Sequence, residues 1–500
     1  MIYLSLIVTL AALFFTYRIL SRTSRYLRLA HIPGPLPAKI TTLWLTYHQS
    51  TGSLARHISS LSKRYGPIYR IAPNWVITSD PAAIRQLWSA RGPWHRGQWY
   101  DMFRMDQPVS TVLSERDNHK HAALKAKLLP GYSGKDVDNL HEAVDRRVAD
   151  LVQLIERKYL SDDERGVYRP MDLAEKATFM TQDVISELAI GRCFECLVHD
   201  RDTYGQMTGV TGSLPLVITL ATIPWTLGLL QNPLVRALLP KEKLEGVVRQ
   251  QELAKKQAAE RFGKDKVVRR DMLGSFVKHG LGHTNAWLET FVQIGAGSDT
   301  TATAIRMTMF HLMSSPGSYK RLQDEIDAAI REGRVSSPIA EEEARRLPYL
   351  QAVMKEGLRL SSPVMGLLPR ICDTEQTVCG VRIPPGTNVC WDAISIFRNQ
   401  ETFGADADVF RPERWLVEME DVDKKSMEFV QGLVFGTSGR FECLGKGIAM
   451  LELNKVFVEV LLRRFDFALV NPLTPLTSRD YSLSLQTDLW ARITRRHVHS

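Results

Sequence analysis

The segment Phe435-Gly436-Thr437-Ser438-Gly439-Arg440-Phe441-Glu442-Cys443-Leu444-Gly445-Lys446-Gly447 sets one cysteine in a glycine-rich turn directly ahead of an apolar helical pattern (Ile448, Ala449, Met450, Leu451, Leu453). A thiolate in that setting is stabilised by free backbone N–H groups and the positive end of the helix dipole, and the glycines let a flat group approach the backbone. Zinc and iron–sulfur sites draw several ligands from the protein. This turn supplies one, so a single axial bond to haem iron is the metal chemistry that fits. Burial as a small hydrophobe is the commoner fate of a cysteine, and the segment therefore needs partners elsewhere.

The chain is long enough to enclose such a site. Its 500 residues, 44% hydrophobic and 24% charged, have a globular composition that excludes disorder. Six cysteines show no disulfide framework, which suits a reducing compartment. Cys193-Phe194-Glu195-Cys196 is a lone Cys-x-x-Cys without a second pair or nearby histidines and is read as packing. The net charge of +9 is spread along the chain rather than gathered with aromatics. That distribution argues against a nucleic-acid partner and for attraction to an acidic protein or lipid surface.

The first 17 residues carry no charge, and Arg18, Arg22, Arg25 and Arg28 follow them. At 1.5 Å per residue this stretch reaches about 25 Å, enough to cross a core of roughly 30 Å if Ile19 and Leu20 join and Arg18 snorkels. Residues 1–20 are therefore expected to form a single-pass signal anchor in the endoplasmic reticulum, and the arginines that follow put the rest of the chain in the cytosol. Residues 21–38 read as a basic, proline-rich hinge, and residues 39–500 as one domain. A second uncharged stretch, Leu214 to Leu230, is expected to be broken by Pro215, Pro224 and Gly228 and to lie partly in the core and partly on a membrane face.

The fold class is mainly α with small β-sheets. Amphipathic periodicity predicts helices over His119–Leu129, Asp136–Lys158, Ala174–Ile190, Lys241–Phe262, Asn285–Ser314, Tyr319–Arg331, Leu350–Leu360 and Cys443–Phe465. Two strands around a Pro-Asn turn are expected in Ile68–Thr78. Further short strands are expected at Gln376–Ile383, Thr387–Cys390, Phe467–Val470 and Leu489–Thr494.

One helix breaks local rules. Gln293-Ile294-Gly295-Ala296-Gly297-Ser298-Asp299-Thr300-Thr301 puts two glycines, an acid and hydroxyls into an apolar helical run. Each interior glycine costs about 1 kcal/mol, and such violations mark functional sites. A kinked helix passing close over a flat ligand accounts for both features. Further on, Glu356 and Arg359 stand three apart in largely apolar surroundings, so they form a buried pair that requires further hydrogen bonds.

Together, in order, these segments resemble the cytochrome P450 superfamily: the anchor and proline hinge, Ala296-Gly297-x-Asp299-Thr300-Thr301, Glu356-x-x-Arg359, Phe410-Arg411-Pro412-Glu413-Arg414-Trp415 and the cysteine loop. The loop departs from the usual Phe-Gly-x-Gly-x-Arg-x-Cys-x-Gly in two ways. One extra residue lies between Phe435 and Gly439, and Phe441 stands where Arg or His is usual. Gly439-Arg440-Phe441 is similar to the variant found in the fungal pisatin demethylase-like group. The resemblance implies a cytochrome P450 fold and haem b (iron protoporphyrin IX) ligated by Cys443, with Phe435, Ala296 and Gly297 lining the cofactor. It further implies that Thr300 handles bound dioxygen, that Asp299 delivers protons, and that Arg414 joins Glu356 and Arg359 in a structural triad. His121, Lys125, Arg370 and Arg440 are the implied holders of the haem propionates.

The implied reaction is insertion of one oxygen atom of O2 into a lipophilic small molecule, in fungal specialised metabolism. The chain has no flavin or nicotinamide fingerprint, so NADPH must act through a separate, acidic flavoprotein reductase docked near Arg440 and Lys446. Substrate contacts are implied in Trp94–Val112, near Leu214, along Val292–Ala296, at Val364–Leu368 and near Ser482–Ser484. Two alternatives stay open: a haem-thiolate isomerase or dehydratase that uses no O2, and a non-enzymatic, membrane-anchored haem- or ligand-binding protein. For Phe435 and Cys443 both to reach their family positions, Thr437-Ser438 must bulge.

Overall fold

The computed structural model describes residues 26–104, 109–230, 232, 241–418, 420–437 and 439–496. The expected anchor, residues 1–20, and the start of the hinge lie outside them. Among the described residues no helix is long and apolar enough to cross a membrane.

The molecule is built on one long helix, His283–Met313, which packs along Leu173–Ile190. In the second of these only Glu175 and Glu187 are not buried, as expected of a helix enclosed on every side. The two approach closely where a side chain is missing: a Cβ on Gly297 would lie 2.8 Å from Ile185 Cγ1. Thr181 Oγ1 then donates to the Ser298 carbonyl at 2.7 Å. Gly297 thus serves helix packing. The long helix is continuous across both glycines.

Other helices fall where periodicity put them, with ends shifted by local chemistry. The run expected to begin at Cys443 starts at Lys446, because Cys443 and Leu444 remain in the turn, and it passes into a π-type turn at Phe457–Leu462. Asp136–Lys158 is shortened at its start to Leu140–Leu154 and ends in another π-type turn, Ile155–Tyr159. Pro215 does not break its segment, since Gln206–Ala221 runs through it as one helix. Pro224 lies in the bend before the next short helix, Thr226–Leu230.

A five-stranded sheet carries the other half of the architecture. Its order is Ile68–Ala72, Trp75–Thr78, Asn388–Trp391, Arg370–Ile371 and His95–Arg96. The hairpin Ile68–Thr78 was expected, but its parallel pairing with Asn388–Trp391 and the pairing of Arg96 opposite Arg370 join segments remote in sequence. The hinge is packed onto this sheet. Leu29 and Ile32 are fully buried beside Ile68 and Val76, and Arg70 N donates to the Pro33 carbonyl at 2.7 Å.

The helix Pro348–Leu360 is tied to the rest by a carboxylate. Glu356 Oε1 accepts from Arg359 Nη2 at 2.7 Å, Arg414 Nε at 2.9 Å and the Arg411 amide at 3.0 Å. Its Oε2 accepts from Arg359 Nε and Trp415 Nε1, both at 2.9 Å. The remaining guanidinium donors reach main-chain carbonyls of Phe397, Phe403, Asp406, Ala407 and Val409. Arg414 completes the group, as the resemblance implied. Replacing Glu356 by Ala leaves two buried guanidinium groups without their carboxylate and is expected to cost about 3–5 kcal/mol. Denaturant unfolding measures it, and a loss below about 1 kcal/mol would show that the group is not a structural centre.

Candidate functional site

The cysteine turn is closed by its own backbone. Cys443 N donates to the Phe435 carbonyl at 2.8 Å, and Thr437 N to Gly432 O at 2.8 Å. Gly436 and Thr437 both have left-handed φ, 83° and 56°. Thr437 therefore turns the chain by adopting a conformation that β-branched residues avoid. This agrees with the expected bulge as far as Thr437; Ser438 lies outside the described residues. Gly439 is pressed against a neighbouring segment, since a Cβ there would lie 2.7 Å from Trp88 O.

Cys443 sits well inside the fold, yet its side is open. Burial raises its pKa, opposed by the backbone N–H groups of Gly445 and Lys446 and by the Lys125 ammonium. The thiol thus has the donors that would stabilise a thiolate once a metal ion supplies the missing charge. The long helix presents a second open surface. Ala296 is exposed and Thr300 half-buried, although most of that helix is buried around them. Thr300 Oγ1 donates to the Ala296 carbonyl at 2.8 Å.

Asp299 points elsewhere. Its Oδ1 accepts from Arg306 Nη2 at 2.9 Å, and Arg306 is held in turn by Gln486 Oε1, Thr178 Oγ1 and Thr303 Oγ1. Asp299 Oδ2, Gln182 Nε2 and Gln206 Oε1 have no partners among the described residues, and these three residues line one small cavity with Thr178 and Ser298. No hydrogen bond joins Asp299 to Thr300.

The four cations named from sequence divide into two pairs. Lys125 Nζ donates to the carbonyls of Arg440 and Glu442 at 3.2 and 3.1 Å. Arg440 donates to the carbonyls of Trp94 and Ala90 at 3.2 and 2.5 Å. Both therefore hold the cysteine turn in place. His121 and Arg370 instead meet a residue that sequence reading missed, Arg96, around the ring of Phe441. Arg96 stands directly opposite Arg370 across the sheet. No helical or strand periodicity marks it, and the basic and aromatic cluster His95-Arg96-Gly97-Gln98-Trp99-Tyr100 was the only signal.

This corner is short of negative charge. Arg96 and Arg370 are 7% and 3% exposed, and neither has a carboxylate partner among the described residues. Their Nε atoms and His121 Nδ1 are buried without hydrogen bonds. Burial and then the charges of Arg96, Lys125, Arg370 and Arg440 push the His121 pKa down to about 3. Buried, unpaired donors of this kind call for an anion. A thiol facing open space and a nearby cationic corner with unused donors fit a flat iron macrocycle carrying two carboxylate arms.

The loops expected to contact substrate converge in part. Met365 N and Gly366 N donate to Ser482 O at 3.1 and 3.2 Å, and Ser484 N to Pro363 O at 2.9 Å. The loop after residue 108 is fastened to the long helix where Val112 N donates to Glu289 Oε1 at 2.6 Å.

Comparison with known proteins gives the same family from an independent direction. A family model described as Cytochrome P450 matches residues 32–488. The chain is 38% identical to cytochrome P450 monooxygenase ABA1 of Pyricularia oryzae, over 94% of this chain and 93% of that protein. It is 37% identical to cytochrome P450 monooxygenase aba1 of Botryotinia fuckeliana, over 93% and 92% respectively. With cytochrome P450 monooxygenase gsfF of Penicillium aethiopicum it shares 30%, over 94% of each.

The Glu289 contact has a pH signature. Burial pushes its carboxyl up to about 8, with the Val112 N–H and Arg96 acting in the opposite direction. An unfolded glutamate titrates near about 4.3, so the folded protein retains a proton that the unfolded chain releases. That stabilisation is complete below about 4.3 and fades as pH rises through about 8. Glu289→Gln keeps an acceptor for Val112 without the ionisation. Its melting temperature should match wild type at about pH 4 and exceed it increasingly toward about pH 8. A difference that does not change with pH would contradict the assignment.

Proposed function

This chain belongs to the cytochrome P450 family and is a haem-dependent monooxygenase; from that premise we propose that Cys443 is the axial ligand and that the substrate is a lipophilic small molecule of fungal specialised metabolism. The observation that carries the ligand assignment is the Cys443 side chain, open on one side within a turn closed onto Phe435. The N–H groups of Gly445 and Lys446 point to its sulfur, Lys125 supplies positive charge, and of the six cysteines it alone is exposed.

Haem, when bound, supplies oxygen activation, and an axial thiolate favours O–O cleavage. The chain's own residues do the rest. Arg96, Arg370 and His121 offer donors to the two propionates, while Lys125 and Arg440 keep the cysteine turn in register. Thr300 offers its hydroxyl beside the open surface at Ala296, one helical turn away on the same face. Asp299, held by Arg306, keeps one carboxylate oxygen free in the small cavity. A water bound there by Gln182 and Gln206 would connect that oxygen to the proton supply. The loops Val364–Leu368 and Ser482–Ser484, joined by hydrogen bonds, would close one side of the substrate space.

Electrons come from NADPH through a separate flavoprotein reductase, for which the exposed Lys446 is one basic contact. Attachment to the endoplasmic reticulum through residues 1–20 is supported by an apolar surface near the start of the described chain. Leu36, Ile40, Leu43, Tyr47 and Trp225 are each more than half exposed. Residues 39–500 act as the catalytic domain.

The deciding measurement is the ferrous carbon monoxide spectrum. Wild type is expected to show the red-shifted Soret band of a thiolate complex, and Cys443→Ala to lose it. Retention of that band in Cys443→Ala would remove Cys443 as the ligand.

A further inference from the structure

Phe441 occupies a position where the family usually has a cation, and its surroundings explain why a neutral ring serves there. Arg96 Cζ lies 4.6 Å from the ring centroid and Arg370 Cζ 4.3 Å from it, and the His121 ring centroid is 5.0 Å away. The two arginines face each other directly across antiparallel strands. Like charges in that register repel, and here both are buried and lack carboxylates among the described residues.

Each guanidinium uses one nitrogen for support. Arg96 Nη1 donates to the carbonyls of Val112 and Glu115, and Arg370 Nη1 to Tyr100 Oη and to the carbonyls of Leu368 and Pro369. Their Nε atoms are buried without hydrogen-bond partners among the described residues. The face of an aromatic ring is negative, and a desolvated guanidinium within about 6 Å of it is attracted. A third guanidinium in place of the ring would instead add to the charge that Arg96, Lys125, Arg370 and Arg440 already place around His121.

We propose that Phe441 is a positioning residue for haem: its ring holds Arg96 and Arg370 together against their repulsion, so that their free donors meet the haem carboxylates. This rests on the assignment of haem to this site. The ring binds neither carboxylate itself. It makes an arrangement of two unpaired arginines stable enough to exist before the anion arrives.

The test replaces Phe441 by phenylalanines carrying increasing numbers of fluorine atoms, introduced at that codon. Fluorination weakens the negative face while nearly preserving ring shape, so folding is kept. The readout is the rate at which purified holoprotein releases haem to excess apomyoglobin, with the ferrous carbon monoxide spectrum recorded on each variant. Release is expected to accelerate stepwise with fluorination. Phe441→Leu should release haem about tenfold faster, the equivalent of roughly 1.4 kcal/mol for two cation–π contacts, whereas Phe441→Tyr should stay within about twofold of wild type. A flat fluorine series, or a Phe441→Leu rate equal to wild type, overturns the role of the ring while leaving haem ligation intact. A wild-type protein that takes up no haem overturns the site assignment, and this inference with it.

Discussion

The carboxylate of Glu356 is the point on which the arrangement of the site depends. It is fully buried, as is Arg359, and it accepts hydrogen bonds from Arg359, Arg411, Arg414 and Trp415. Burial alone would raise its pKa, but bonding to Arg359 and the charges of Arg359 and Arg414 hold it below the ordinary range. The ion group is therefore charged inside the protein. Such a group is costly to desolvate and costlier to break, so its geometry is tightly specified. It locks the helix Pro348–Leu360 against Phe397–Trp415, and the chain then runs through Asp421–Gly432 directly into the cysteine turn. Movement of that anchor would move Cys443.

The opposite corner uses the same residue type in the opposite way. Around Glu356 the arginines are satisfied by a carboxylate and by carbonyls. Around Phe441 Arg96 and Arg370 are supported but left without a counter-ion among the described residues. Two buried arginines with unused Nε donors and no carboxylate beside them are an arrangement that an anion would complete. The contrast between the two clusters separates an ion group that is satisfied within the protein from one with donors left over, although both are buried.

The long helix shows how one element serves two environments. Ala296 and Thr300, four residues apart, share the open face, while Gly297 and Ser298 meet Ile185 and Thr181 on the packed one. Asp299 falls between and turns to Arg306, seven residues on and hence again on its own side. The irregular composition of this helix thus comes from two demands, close helix contact and a polar edge at the site. Sequence reading attributed both glycines to the second.

What the sequence determined by itself was local or combinatorial. Helices such as Pro316–Arg331 and Pro348–Leu360 follow from periodicity, because their hydrogen bonds and buried faces are made by residues a few positions apart. The cysteine turn, the Glu356–Arg359 pair and Thr300 were visible for the same reason, each being a short pattern with its own chemistry. Tertiary structure alone decided which cations face the site. Lys125 and Arg440 looked equivalent to His121 and Arg370, but the first pair ties the cysteine turn through main-chain carbonyls, whereas His121 Nδ1 and Arg370 Nε stay buried without partners among the described residues. Arg96 left only the faint signal of a basic and aromatic cluster. Its position comes from pairing with Arg370 between strands drawn from distant parts of the chain, and a two-residue strand carries no periodicity that could announce its partner.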